Sequence, residues 1–198
     1  MGLAMYLVTA RLLCILPAIL IFLLHNKVDM VSEMEKYIQL AKDVGMADAW
    51  LISPDNIAFD IRAILKCRWG CEEFSEKNAR CHTRNTSYNE RIAMINKYKN
   101  ILFVHSHDAH ELSNALLAIE TTAFLDGYYF AFALRYCHLC KVCANEKGKS
   151  CPTPQKIRPC EGAFGIDVYK TARNLGLPCQ TLQSENEEQN RYGFVLID

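Results

Sequence analysis

A chain of 198 residues with 22 lysines and arginines against 22 aspartates and glutamates has no basic excess to hold nucleic acid and no net charge. Apolar residues make up 51% of it, enough for one buried core of ordinary domain size. Its 10 cysteines are many for a reducing compartment, yet too dilute for a small disulfide scaffold.

The first 30 residues stand apart. Leu12 to Leu24 are 13 consecutive apolar positions, and residues 5–24 approach the ~20 that a helical membrane span needs. Arg11 interrupts the stretch and Pro17 lies within it, which a spanning helix tolerates better than a soluble one. Three readings follow. Residues 5–24 anchor a cytoplasmic domain to a membrane; or the reading frame opens at Met30 or Met34, from which the domain reads as complete; or the stretch is a signal peptide. The segment HNKVDMVSEM after Leu24 has no A-x-A cleavage pattern, which disfavours the third. Clustered free cysteines also argue against export, so the sequon Asn85-Thr86-Ser87 carries no weight. Residues 31–198 are then one cysteine-rich domain, and a membrane is a partner only if the apolar segment belongs to the protein.

Met34 to Gly45 has apolar residues at helical spacing and a glycine stop. ADAWLI reads as a short strand ending at Ser53-Pro54, and IAFDIRAILKC mixes apolar and charged residues without a clear period. A helix is predicted over 85–98, a buried strand over 101–105 and an amphipathic helix over 109–125 closed by Gly127. YYFAFALRY predicts a second buried strand over 128–135 with its aromatics in the core. Asp167 caps a helix over 167–175, and YGFVLID gives a last strand over 192–197. The alternation predicts an α/β (or α+β) fold: a mixed sheet with covering helices. Between Cys137 and Ile166 it is broken by an insertion without regular structure. So irregular a segment needs cross-links to stay ordered in a compact domain.

The insertion holds Cys137, Cys140, Cys143 and Cys151, spaced C-x2-C-x2-C-x7-C. Pairs of cysteines two residues apart make strained bridges, so the repeated spacing suits a metal better than disulfides. C-x2-C-x2-C places three thiolates around one face of an iron–sulfur cubane, and Cys151 followed by Pro152 supplies a fourth. Zinc is the rival, since four thiolates make an ordinary structural site, but a zinc ribbon sets its two C-x2-C knuckles far apart. Cys67, Cys71 and Cys81 form a second, looser group lacking a fourth thiol nearby; Cys160 or Cys179 would have to come from a distance. The run His105, His107, His110 reads as polar residues at a strand end rather than ligands. No nucleophile elbow, phosphate loop or dinucleotide fingerprint is present, and no substrate pocket can be named.

KCRWGC (66–71), GYYFAFAL (127–134), CHLCKVCA (137–144), CPTPQKIRP (151–159), GIDVYKTARNLGLP (165–178) and the closing NRYGFVLID resemble a cysteine-rich "predicted metal-binding protein" family common in anaerobic prokaryotes. The resemblance implies metal binding, iron–sulfur by expectation, without a defined reaction. Two departures stand out. His82-Thr83 follow Cys81 where the family has paired prolines, and Cys160-Glu161-Gly162 stand where it tends to have serine, methionine and glutamate.

The expected function is metal binding, with a 4Fe-4S cluster on Cys137, Cys140, Cys143 and Cys151 serving electron transfer to a redox partner protein, an anaerobic enzyme. The alternative is a non-redox binding or metal-handling module whose irregular loop is stapled by zinc. Cys67, Cys71 and Cys81 are the secondary metal candidates.

Overall fold

The computed structural model describes residues 33–198, apart from residues 77 and 185. The apolar segment, and with it the anchor, start-site and signal-peptide readings, lies outside the described residues. Among those described, no helix is long and apolar enough to cross a membrane.

The chain divides into two compact units, Met1–Lys36 and Tyr37–Asp198. Of the first, residues 33–36 are described, the opening turn of helix α1 (residues 33–43), where Lys36 pairs with Glu33 at 3.8 Å. The second unit holds the sheet and nine of the ten cysteines, all but Cys14.

Four strands, β1 (Asp48–Ile52), β2 (Ile101–Ser106), β3 (Phe132–Leu134) and β4 (Arg191–Leu196), lie in the order β1-β2-β4-β3. The fold is mixed α/β, as the alternation predicts, yet every neighbouring pair of strands is antiparallel. The reason is topological. Strand β2, helix α4 (Ala109–Leu125) and β3 form a crossover between two strands that run the same way. The slot between them is filled by β4 from the far end of the chain, so parallel strands never meet.

All six residues of β2 are buried, because both faces of this central strand are covered. On one face, Phe103, Phe194 and Tyr192 form an aromatic layer: Phe103 stacks on Tyr192 at 4.8 Å, and His105 continues the stack onto Tyr192 at 4.7 Å. Ile57, Ile95, Ile166 and Ala172 close over it. The other face meets α4, which turns Leu112, Leu116 and Ile119 inward. Gly193 is required there, since a Cβ would stand 2.5 Å from Leu116 Cδ1. Helix α4 begins at Asp108, whose carboxylate accepts the Glu111 N–H at 2.7 Å, and the buried Tyr37 hydroxyl donates to Asp126 at its far end.

Four elements differ from the sequence expectation. A short helix, α5 (Glu161–Phe164), stands near the end of the 137–166 insertion, where the sequence predicts no regular structure. Strand β3 is three residues, not eight, because Tyr129 and Phe130 turn outward and are 73% and 84% exposed, so the aromatic run is only partly core. Helix α3 (Tyr88–Ile95) starts at a capping box, Ser87 with Glu90, and is shorter than 85–98. The unassigned stretch before the first cysteines is helix α2 (Arg62–Gly70), none of whose residues is buried. It is held from its N-terminal side. The Asp60 N–H donates to Gly165 O and the Asp167 N–H to Ala58 O, both at 2.8 Å, which ties the lead-in of α2 to the joint between α5 (Glu161–Phe164) and α6 (Val168–Asn174). Gly165 makes that joint at φ +81°, with Tyr88 filling the space a Cβ would take. Asp167 caps α6 by accepting the Lys170 N–H, as its position suggested.

Candidate metal centre

Strand β3 ends at Leu134, and Arg135 and Tyr136 carry the chain into Cys137. Three-ten turns at Asn145–Lys147 and Pro154–Lys156 are the only regular pieces between there and α5 among the described residues. Protein contacts hold the two ends of the insertion. At the near end Arg80, 4% exposed, donates to Cys137 O at 3.1 Å, pairs with Glu73 at 2.8 Å and lies 4.2 Å over the Tyr136 ring. The Tyr136 hydroxyl donates to the same Glu73 carboxylate. Helix α4 contributes Ser113, whose hydroxyl accepts the His138 N–H at 3.2 Å, and His110, whose Nδ1 meets His138 O at 2.8 Å. At the far end Arg158 pairs with Glu120 of α4, and Glu120 also accepts the Ala133 N–H.

Between these anchored ends Cys137, Cys140, Cys143 and Cys151 line one cavity of about 210 Å³, with Arg80, Asn78 and Lys141 in its wall. Cys140 is exposed and the other three half-buried. Burial pushes the Cys137 thiol up, and the neighbouring Cys140 and Cys143 push it the same way, while the Leu139 backbone N–H and the Arg80 charge pull it back. An amide aimed at sulfur, a buried cation and several thiols are the surroundings that a negative metal–thiolate centre requires. No group of three or more His, Cys, Asp or Glu side chains among the described residues is gathered tightly enough to hold a metal ion as the side chains stand.

The first cysteine group lies elsewhere. Cys67 is on α2 and Cys71 caps its C-terminus. Both face a separate cavity of about 880 Å³, together with Arg135, Glu161, Arg191 and Cys160. Cys67 is drawn down to about 7 by the Cys160 thiol and, secondarily, by Arg68, whereas Cys160 is raised by the Cys67 thiol and by burial. Cys81 lies on the wall of a third cavity with Arg68 and Trp69. Burial raises its thiol, and the charges of Cys67 and Cys71 also reach it.

Sequence spacing therefore singles out the four cysteines that line one cavity, but not the side chains that hold their segment. Glu73, Arg80 and Glu161 carry no local signal, since each acts on residues far along the chain. Cys179 packs against the aromatic core, and burial raises its thiol. His105 belongs to the aromatic stack and bonds Asn190 at 2.8 Å.

These features define a cysteine-rich α/β domain with an irregular, sulfur-lined insertion. The chain belongs to the family described as "Predicted metal-binding protein (DUF2284)", which matches residues 50–197. Neither the curated proteins nor the solved structures contain a match to it. Metal binding is thus the family's stated property, and it falls on the stretch that contains both cysteine groups.

Proposed function

We propose that Cys137, Cys140, Cys143 and Cys151 hold an iron–sulfur cluster of the 4Fe-4S type and that the protein transfers electrons to a redox partner protein. The observation that carries this reading is that four thiols from one irregular segment, anchored at both ends, line a single cavity. The donor set fits the group: four sulfurs, a backbone N–H on the Cys137 sulfur, and the Arg80 and Lys141 cations to offset thiolate charge. A bound cluster would supply a one-electron couple.

The chain's own residues do the rest. Arg80 fixes the Cys137 carbonyl and the Tyr136 ring, so the first ligand is placed before metal arrives. Ser113 and His110 hold the backbone of His138, between the first two ligands. Cys140 stands exposed, which puts the sulfur side within short reach of a docked partner.

Anaerobically purified protein tests the reading. Iron and acid-labile sulfide in equal amounts, with brown colour bleached by dithionite, support it. A colourless protein with stoichiometric zinc overturns it in favour of the second reading, a zinc-stapled binding or metal-handling module, which the same four-thiolate set accommodates.

A further inference from the structure

The loop from Cys71 to Ser87 has no helix or strand among its described residues, yet it is tied down from inside. The Asn78 N–H donates to Ser75 O at 3.0 Å, the Cys81 N–H to Asn78 O at 2.9 Å, and the Ser75 backbone N–H is directed at the Cys81 sulfur. The segment before α5 comes to meet it: the Cys160 N–H donates to Arg80 O at 3.3 Å, so Cys160 is bonded to the residue next to Cys81. On its other side Cys160 lines the same cavity as Cys67. Cys67 and Cys71 are four apart at the end of α2, a spacing that puts both on one flank of a helix.

Helices α2 and α5 are packed closely enough to keep this arrangement. A Cβ on Gly162 would stand 3.5 Å from Cys67 Cβ and 3.7 Å from Cys160 Sγ. The Ala163 N–H is directed at the Cys160 sulfur. The C-terminal end of α2 is the negative end of its dipole and opposes thiolates there. Arg68 offsets it on the helix itself, and Arg80 does so beside Cys81.

We propose that Cys160 closes the first cysteine group, so that Cys67, Cys71, Cys81 and Cys160 form a second four-thiolate site for a soft metal, zinc or an iron–sulfur cluster. The site shares no ligand with the insertion and stands whether or not the insertion's cluster is iron. Binding draws the Cys71 and Cys81 thiols toward the Cys67–Cys160 pair and displaces the thiol protons to solvent. A cysteine at position 160 is the necessary feature: without it the group has three thiols and no fourth donor of its kind among the residues that contact it.

The test is metal stoichiometry on the full chain, loaded without oxygen, in one arm with zinc alone and in the other with ferrous iron and sulfide. Wild type is expected to take about two zinc ions per chain, or about eight irons in the second arm. Cys160→Ser and Cys160→Ala are each expected to halve the uptake, Cys140→Ser to halve it independently, and Cys179→Ser to leave it unchanged. Whichever arm loads distinguishes the two metals. Full wild-type uptake by both Cys160 variants overturns the second site and leaves the insertion site untouched, whereas failure of Cys140→Ser alone to lower uptake strikes only the insertion site. A further measurement needs no variant. Alkylation of metal-loaded wild type, mapped by peptide mass spectrometry, is expected to spare Cys67, Cys71, Cys81 and Cys160 while labelling Cys179. Labelling of Cys160 at its metal-free rate overturns the proposal.

Discussion

Glu161 joins the two cysteine regions, and removing its carboxylate is expected to cost more than any surface substitution. Its side chain is 4% exposed and faces Arg135, itself 14% exposed, at 3.1 Å. One oxygen takes the Arg135 Nη1 donor, and the other accepts the Tyr136 N–H at 3.0 Å. Tyr136 leads into Cys137, and Glu161 follows Cys160, so this carboxylate fixes the approach to both sets of thiols. In Glu161→Ala the guanidinium keeps only its 3.3 Å bond to Tyr192 O, and the Tyr136 N–H loses its acceptor. Breaking a buried pair from one side costs about 3–5 kcal/mol, and the orphaned amide falls within that sum because both bonds end on one carboxylate. Glu161→Gln keeps an acceptor for the amide and loses only the charge, so about 1–2 kcal/mol is expected. Replacing both partners with methionine is expected to recover much of the loss, since no charge is then left buried. Urea unfolding of the metal-free protein measures all three. A Glu161→Ala variant within about 0.5 kcal/mol of wild type would refute the reasoning.

Glu120→Ala removes the acceptor shared by Arg158 and the Ala133 N–H, and is expected to cost about 3 kcal/mol and to speed tryptic cleavage at Lys156; unchanged digestion would show that the insertion's far end is held by other contacts. Gly193→Ala places a methyl against Leu116 and is expected to cost about 1–3 kcal/mol. Combining it with Leu116→Ala is expected to give less than the sum of the two losses, and strict additivity in a double-mutant cycle would count against the contact. His105 is held below its ordinary value of 6.5 by burial and by His107, against the opposing Asn190 bond and the Asp48 and Glu188 charges. The folded state therefore binds fewer protons than the unfolded one. This contribution is complete above the ordinary value and is lost as pH falls through it toward the folded value, at about 1.4 kcal/mol per unit of depression. His105→Phe is expected to flatten the acid side of the stability profile; an unchanged slope between about pH 5 and 7 would contradict that assignment.

The buried core was legible wherever apolar runs were continuous. ILFVH is β2 without its last residue, Ser106; Ala109–Leu125 is α4 to the residue; and YGFVLID takes in β4 from that strand's second residue, Tyr192. Strand direction was not legible, because the insertion of β4 between β2 and β3 is a long-range choice with no local mark. Helix α2 was missed because its apolar residues do not enter the core: Ile61 before it, Leu65 and Trp69 are 60%, 59% and 77% exposed. Strand β3 was overestimated because aromatic residues raise strand propensity even where, as at Tyr129 and Phe130, they face solvent. The thiols of the insertion stood out because their spacing is local. Cys160 did not, because its neighbours Cys67 and Arg80 reach it only through the packing of α2 against α5 and one backbone bond. Arg80 is the same kind of case: a buried guanidinium that organises a loop more than fifty residues further on.

The most direct measurement compares anaerobic wild type with a variant in which Cys137, Cys140, Cys143 and Cys151 are all serine, reading iron, acid-labile sulfide and melting temperature together. Sulfur ligation in the insertion predicts that the variant loses about four irons and four sulfides per chain and melts several degrees lower, since metal binding is coupled to folding. Identical metal content and an identical melting temperature in the two proteins would contradict it.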